Sequence, residues 1–302
     1  MRLSKRLKRN AVWTVARLLD RLLNILPRPA AVALGGWIGL AAWAILQRDR
    51  YSINRHLEMI YKDKMTDYQR RLIGQSFFIN SGKNLVDVVR FKRHFAAEIK
   101  PLVTVEGLEH FDRAYRAGHG LIAITGHIGN FELGAAYMAS LGYNVGVIGR
   151  ELDDPRLDQW LTANRAAAGL RNFPTTESPR HILAWLKEGK VLGVLIDTDS
   201  IRRRGVFVPA FGRLSYTAVG QTLLGIRTGA AFVPMACLRE AGDQYRIITM
   251  PPVEYDRSLP EEELLVSVTA KCTKALEEII ERYPDQWIWL HNRWHTRPEQ
   301  TS

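Results

Sequence analysis

The tightest constraint on the fold is a series of short apolar runs, at residues 121–125, 145–148, 191–196, 206–208, 232–237 and 245–250, separated by stretches of helical period. Strands of that length alternating with helices specify α/β architecture. The intervening helices carry their own punctuation: the stretch 178–187 ends with Gly189 just past a lysine-bearing last turn. Upstream, Thr66 or Asp67 is placed to cap a helix that turns Leu72, Phe77, Phe78, Leu85, Val88 and Val89 toward a core. No internal repeat interrupts this order, and no Pro-, Gly- or Ser-rich linker divides it. With 302 residues, 46% of them hydrophobic, the chain has room for one large α/β domain or two modest ones; disorder is not the default, and fibrous and disulfide-scaffold classes are excluded. Two cysteines, Cys237 and Cys272, are too few for a zinc cluster or a bridge network; each sits in apolar sequence, which fits a buried thiol in a reducing compartment.

The first fifty residues have a different character. The formal net charge is +11, and five of the first ten residues are basic (Arg2, Lys5, Arg6, Lys8, Arg9) with no acid among them. An excess of this kind calls for an anionic partner. From 11 to 26 the polar residues Thr14, Arg17, Asp20, Arg21 and Asn24 recur at three- and four-residue steps, which predicts an amphipathic helix. Pro27 and Pro29 break it, and 29–46 then runs for 18 residues without a charge, roughly 27 Å as a helix. Gly35, Gly36 and Gly39 are common in membrane helices, and Trp37 and Trp43 suit an interface. Two readings of this run stand: a transmembrane or deeply inserted helix, and a buried core helix of the globular domain. Arg17, Asp20, Arg21 and Arg28 interrupt the place where a signal peptide needs continuous apolar sequence, so the segment is expected to be retained. Arg48, Arg50 and Arg55 follow the run, and loop charge therefore sets no orientation. The expected division is N-terminal membrane-anchoring helices over 1–50 and a catalytic domain over 51–302.

Chemistry is concentrated in 121–134, LIAITGHIGNFELG. A strand ends at Thr125, Gly126 and Gly129 flank His127, and a helix begins near Asn130. In a continuous helix, His127 and Glu132 would lie about 140° apart around the axis and could not meet. On a strand-to-helix turn, glycine lets the chain fold His127 back over the first helical turn, where Glu132 is expected to accept from one imidazole nitrogen and leave the other free as a base. The same turn brings the backbone N–H groups of the helix start, at Gly129 and Asn130, toward a substrate oxyanion or phosphate.

Other candidates are weaker. Asp197 and Asp199 end an apolar run, at the strand edge where α/β sites open, but two acids make a thin metal cage. Arg202, Arg203 and Arg204 follow, either as a solvated loop or as a patch for an acidic carrier protein or lipid phosphates. In the tail WIWLHNRWH, His291 and His295 have zinc-ligand spacing without the HExxH glutamate, and the tryptophans suggest an interfacial or core-packing segment. No GxSxG, Walker A or GxGxxG sequence is present. Nucleic-acid binding would need a basic face interleaved with aromatics, whereas the basic run here adjoins membrane-like sequence.

Taken together, GHIGNFELG (126–134), GRELDDPRLD (149–158), IDTD (196–199), GVFVPAFG (205–212), TGAAFVP (228–234) and WIWLHNRWHTRPE (287–299) make the chain resemble, over nearly its whole length, the bacterial lipid A biosynthesis acyltransferases of the wider lysophospholipid acyltransferase superfamily. The resemblance implies a glycerolipid acyltransferase-like fold, a mixed central sheet flanked by helices, behind an N-terminal membrane-associated segment. It implies that His127 is the general base on an acceptor hydroxyl and that Glu132 orients it. It implies an acyl thioester donor, usually on acyl carrier protein and otherwise on CoA, and a lipid A precursor as acceptor. Arg150 and Arg165 match arginines expected near the phosphorylated acceptor, and Asp197 is expected to support a metal-free site with no cofactor. Where the family usually has Tyr-Arg-Pro, this chain has Gly149-Arg150-Glu151, so local acceptor contacts are expected to differ. The implied location is the cytoplasmic face of a bacterial inner membrane, with no nucleic acid as partner. The alternatives are acylation of another lipid, such as a lysophospholipid or a mannosylated phosphoinositide, and a non-catalytic membrane-associated binding protein of the same fold.

Overall fold

The computed structural model describes residues 3–199, 201 and 203–300, without the side chains of 3–6 and 300. Of the N-terminal basic cluster, Arg2 and the side chains of Lys5 and Arg6 thus lie outside the described residues, as does Arg202. Five helices come first: α1 (Leu3–Ile25), α2 (Arg28–Ile45), α3 (Gln47–Tyr61), α4 (Asp67–Val89) and the short α5 (Phe91–His94). The alternating part follows as β1 (Val103–Glu106), α6 (Leu108–Arg116), β2 (Leu121–Thr125), α7 (Phe131–Ser140), β3 (Val145–Gly149), α8 (Pro155–Ala167), β4 (Arg171–Pro174), α9 (Pro179–Lys187) and β5 (Val191–Leu195). A hairpin, β6 (Gly205–Ala210) and β7 (Arg213–Ala218), leads to α10 (Gly220–Thr228), β8 (Ala231–Arg239), β9 (Tyr245–Thr249) and α11 (Glu261–Arg282). The helix signals read from sequence are in place. Thr66 caps α4 in a reciprocal capping box with Gln69. Ser178 caps α9, and Gly189 adopts φ +75° beyond its end.

One seven-stranded sheet runs β1-β9-β8-β2-β5-β3-β4. Every neighbouring pair is parallel except β8 and β9, so the sheet is mixed as expected. Alternation along β2 splits the core. Ile122 and Ile124 pack with α9, α11 and the C-terminal tryptophans, while Leu121 and Ala123 pack with α6 and α7 on the other face. Three strands carried no clear signal in the sequence. β1 and β4 are four-residue edge strands, and β4 ends in Pro174, tolerated there because an edge strand leaves one side of its backbone unpaired. β7 pairs only with β6 through a two-residue turn in which Phe211 (φ +51°) and Gly212 (φ +70°) are both left-handed.

The charge-free run forms α2. Among the described residues it is the one helix long and apolar enough to cross a bilayer. One of its faces is nevertheless buried on α4: a Cβ on Gly39 would lie 2.2 Å from the Phe78 carbonyl oxygen, and one on Gly82 would lie 2.1 Å from that of Gly35. Glycine at these positions brings the two backbones into contact. At the start of α2, Arg28 donates from Nε and Nη2 to the two carboxylate oxygens of the fully buried Asp87, at 2.9 Å each. The helices of residues 1–50 are therefore packed against the α/β body, while Trp37, Ile38 and Ile45 on the other side of α2 are exposed.

Candidate active site

Strand register assembles the site. β2 and β5 run parallel with Thr125 opposite Leu195, so the residues two positions beyond each, His127 and Asp197, emerge side by side at the C-terminal edge of the sheet. Asp197 lies against Gly126, where a Cβ would be 2.8 Å from Asp197 Oδ2. Gly129 has φ +58°, and a Cβ there would lie 2.0 Å from the Cys237 carbonyl oxygen; this position turns the chain from strand into α7 against β8.

The imidazole is held by Asp197. His127 Nδ1 lies 2.9 Å from Asp197 Oδ1, and the His127 backbone N–H donates to Oδ2 at 2.7 Å. Trp287 Nε1 donates to the same Oδ2 at 2.8 Å. With a carboxylate on Nδ1, the neutral ring carries its proton there and presents an unprotonated Nε2, which has no protein partner among the described residues. Burial works against charging His127, but the hydrogen bond and charge of Asp197, together with the charge of Glu132, outweigh it and raise the pKa above its ordinary value. For Asp197, burial pushes the pKa up and the bonds from His127 and Trp287 more than reverse it, keeping the carboxylate ionised. The His127 and Phe131 rings meet at a steep angle, centroids 5.3 Å apart, and both residues border a cavity of about 220 Å³ also lined by Phe77, Asn80 and Asn84 of α4.

Glu132 does not accept from the imidazole, contrary to the sequence expectation. Its carboxylate is gripped by Arg165, through Nε at 3.0 Å and through Nη2, while Arg165 Nη1 donates to Asn172 Oδ1 at 2.6 Å. Register gave the Nδ1 position to Asp197, so Glu132 acts on His127 only through space. Arg165, expected near the phosphorylated acceptor, turns its Nε and both Nη atoms to Glu132 and Asn172. Gly149 lies against this guanidinium: a Cβ there would lie 2.3 Å from Arg165 Nη1 and 2.7 Å from Asn172 Oδ1. Arg150 follows β3 at the same edge of the sheet and is exposed.

The helix-start amides also differ from expectation. The N–H of Gly129 donates to the Gln286 carbonyl at 2.8 Å and that of Asn130 to the Cys237 carbonyl at 2.7 Å, so neither is free for substrate. The Asn130 side chain is buried, capping Leu133 N–H with its oxygen and donating to Tyr245 Oη at 3.2 Å. The N–H groups left without a carbonyl at the start of α7 are those of Phe131 and Glu132. Asp199 is structural: its oxygens take the hydroxyl and N–H of Thr296, and its own N–H donates to His291 Nε2 at 2.8 Å. Among the described residues no cluster of His, Cys, Asp and Glu has the geometry of a metal site. The tail packs as core, with Trp287 and Trp289 almost fully buried. Trp287 and Gln286 are the site residues that motif reading missed, and no local signal in the sequence pairs them with His127.

The site is thus a His–carboxylate pair at the C-terminal edge of a mixed α/β sheet, with His127 on the turn from β2 to α7 and Asp197 just past β5. The family described as bacterial lipid A biosynthesis acyltransferase matches residues 2–296, and the chain belongs to it; it is an acyltransferase. Among relatives, the lipid A biosynthesis lauroyltransferase of Escherichia coli (strain K12) is 28% identical over 276 residues, covering 91% of this chain and 88% of its own. The palmitoleoyltransferase of the same organism is 26% identical over 281 residues, covering 90% and 87%. The phosphatidylinositol mannoside acyltransferase of Mycobacterium tuberculosis (strain ATCC 25618 / H37Rv) is 24% identical over 194 residues, covering 63% and 59%.

Proposed function

We propose that the protein moves a fatty acyl chain from a thioester on acyl carrier protein to a hydroxyl of a lipid A precursor, at the cytoplasmic face of the inner membrane. The observation that carries the chemistry is the His127–Asp197 pair, with Nδ1 bound and Nε2 free at the rim of a cavity. Nε2 removes the proton of the acceptor hydroxyl as its oxygen attacks the thioester carbonyl carbon, and Asp197 stabilises the imidazolium. The tetrahedral oxyanion collapses with cleavage of the C–S bond, and the thiolate takes the proton back from His127. The N–H groups of Phe131 and Glu132, at the positive end of α7, are the donors best placed for the oxyanion. Glu132 with Arg165 keeps a compensated negative charge beside the ring, and Arg150 is the arginine left open for acceptor phosphate. No covalent enzyme intermediate and no metal is required by this route. The lipid A acceptor is favoured because the relatives named for lipid A biosynthesis align over most of both chains, whereas the mannoside acyltransferases align over less than two thirds.

The test is mass spectrometry after incubating the detergent-purified chain with acylated carrier protein and three acceptors: a tetra-acylated lipid A precursor, lysophosphatidic acid and a mannosylated phosphoinositide. A gain of one acyl chain on the lipid A precursor, lost in His127→Ala, is expected. Gain only on another acceptor would keep the mechanism and overturn the substrate. No gain on any, with folded protein and active donor, would favour a binding protein.

A further inference from the structure

Helix α1 is inside out for a helix in water. Its protein-facing side is largely polar and aromatic, with one core leucine near its end: the Trp13 ring receives the Arg156 guanidinium at 5.4 Å, Asp20 accepts from Trp160 Nε1 at 3.3 Å, Asn24 is buried, and Leu23 joins Ala31, Val32 and Val86 in a small cluster. Its apolar residues Leu7, Ala11, Val15, Leu18, Leu22 and Ile25 follow one another at steps of three and four and face outward, Leu18 at 59% and Ile25 at 78% exposure. A helix at a water-facing surface turns such a row toward the core, so the outward row matches a medium that is itself apolar. α2 buries small and apolar residues on α4, yet it too presents an apolar row outward. Opposite its α4-facing side lie Ala33, Trp37, Ala41 and Ile45, with Trp37 at 68% and Ile45 at 74% exposure and no charge among them. Beside the apolar row of α1 runs an exposed polar one, Asn10, Thr14, Arg17 and Arg21, and exposed Arg48 follows α2. Basic residues on the shoulder of an apolar stripe complement anionic headgroups.

The packing also bears on whether either helix crosses the bilayer. α2 is fastened to α4 along its length, by Arg28 on Asp87, by Gly35 on Gly82, by Gly39 on the Phe78 backbone and by Trp43 on Gly74. α4 carries Arg70, Arg71, Lys83 and Asp87, and Lys83 is ion-paired with Asp243 after β8. A spanning α2 would draw these charges into hydrocarbon or break the glycine contact. α1 has Arg17, Asp20 and Arg21 near its middle, and its first turns are bound to the start of α8 through Arg156.

We propose that α1 and α2 form a one-sided docking surface that lies in the plane of an anionic leaflet, so that the chain enters the bilayer from one face and does not cross it. This goes beyond the reaction proposed above and does not depend on it. The test uses the full chain in inner-membrane vesicles of both orientations, with Lys8→Cys or Arg48→Cys probed by a membrane-impermeant maleimide; Cys237 and Cys272 are buried and stay silent. Both sites are expected to label in the same vesicle orientation. Labelling of one site in each orientation would show a span and overturn the proposal. In parallel, flotation of purified protein with vesicles of phosphatidylcholine and phosphatidylglycerol is expected to fall about tenfold or more for Leu18→Glu/Trp37→Glu. Unchanged flotation, or a detergent-free dimer that the same substitutions dissolve, would assign the surface elsewhere. Loss of acyl transfer leaves the labelling pattern unmoved, so the two readings fail separately.

Discussion

Replacing Asp197 with Asn tests the site most sharply, because the substitution keeps the shape and inverts one hydrogen bond. Oδ2 of Asp197 receives two donors, the His127 backbone N–H at 2.7 Å and Trp287 Nε1–H at 2.8 Å. An asparagine has one oxygen, and those two donors claim it; its NH₂ group must then face His127 Nδ1. A donor there forces Nδ1 to accept, and the neutral ring shifts its proton to Nε2, the nitrogen that has to act as base. A base in the wrong tautomer costs about 10⁴ in kcat at other His–carboxylate sites, so Asp197→Asn is expected to lower kcat by roughly 10³–10⁴, or about 4–5 kcal/mol of transition-state stabilisation. Acyl transfer from carrier protein gives the rate, and ¹⁵N NMR of the imidazole gives the tautomer. A variant within tenfold of the parent, or one whose His127 keeps its proton on Nδ1, would refute the reasoning.

Two further outcomes follow from the same structure. Because Asp197 and Glu132 together outweigh burial and raise the His127 pKa above its ordinary 6.5, and because the base must be unprotonated, the acid limb of kcat/KM is expected above that value; Glu132→Gln removes one raising charge, so the limb should move down in a pH–rate profile. The linked stability has the opposite sign: protonated His127 favours the folded state below pH 6.5, and that contribution fades as pH rises through the raised value. At the helix contact, a Cβ on residue 39 would meet the Phe78 carbonyl at 2.2 Å, so Gly39→Ala is expected to cost about 1–3 kcal/mol of stability by overpacking, read as a lower denaturation midpoint in detergent. An unchanged midpoint would mean that α2 and α4 are not in backbone contact.

Much of this architecture is legible one element at a time. Short apolar runs gave β2, β3, β5, β8 and β9 within a residue or two, because buried strands in an α/β sheet need near-continuous apolar sequence. The caps Thr66 and Ser178 were visible because capping is a matter of adjacent residues. The four-residue edge strands β1 and β4 were not, since an edge position asks little of its side chains.

At the site, His127 stood out because glycines, a strand end and a helix start all fall within ten residues of it. The partner of that histidine did not. Sequence proximity pointed to Glu132, five residues away, while the parallel register of β2 and β5 brought Asp197 from seventy residues on. The reason is general: the chain writes local geometry in adjacent residues, but which carboxylate reaches an imidazole depends on which strands become neighbours. The same holds for Arg165, whose pairing with Glu132 joins residues thirty-three apart in the chain and left no local signal. It holds for α1 as well, whose period announced an amphipathic helix while only its tertiary contacts showed that the apolar side faces out. Period fixes that a helix has two faces; packing decides which of them meets the protein.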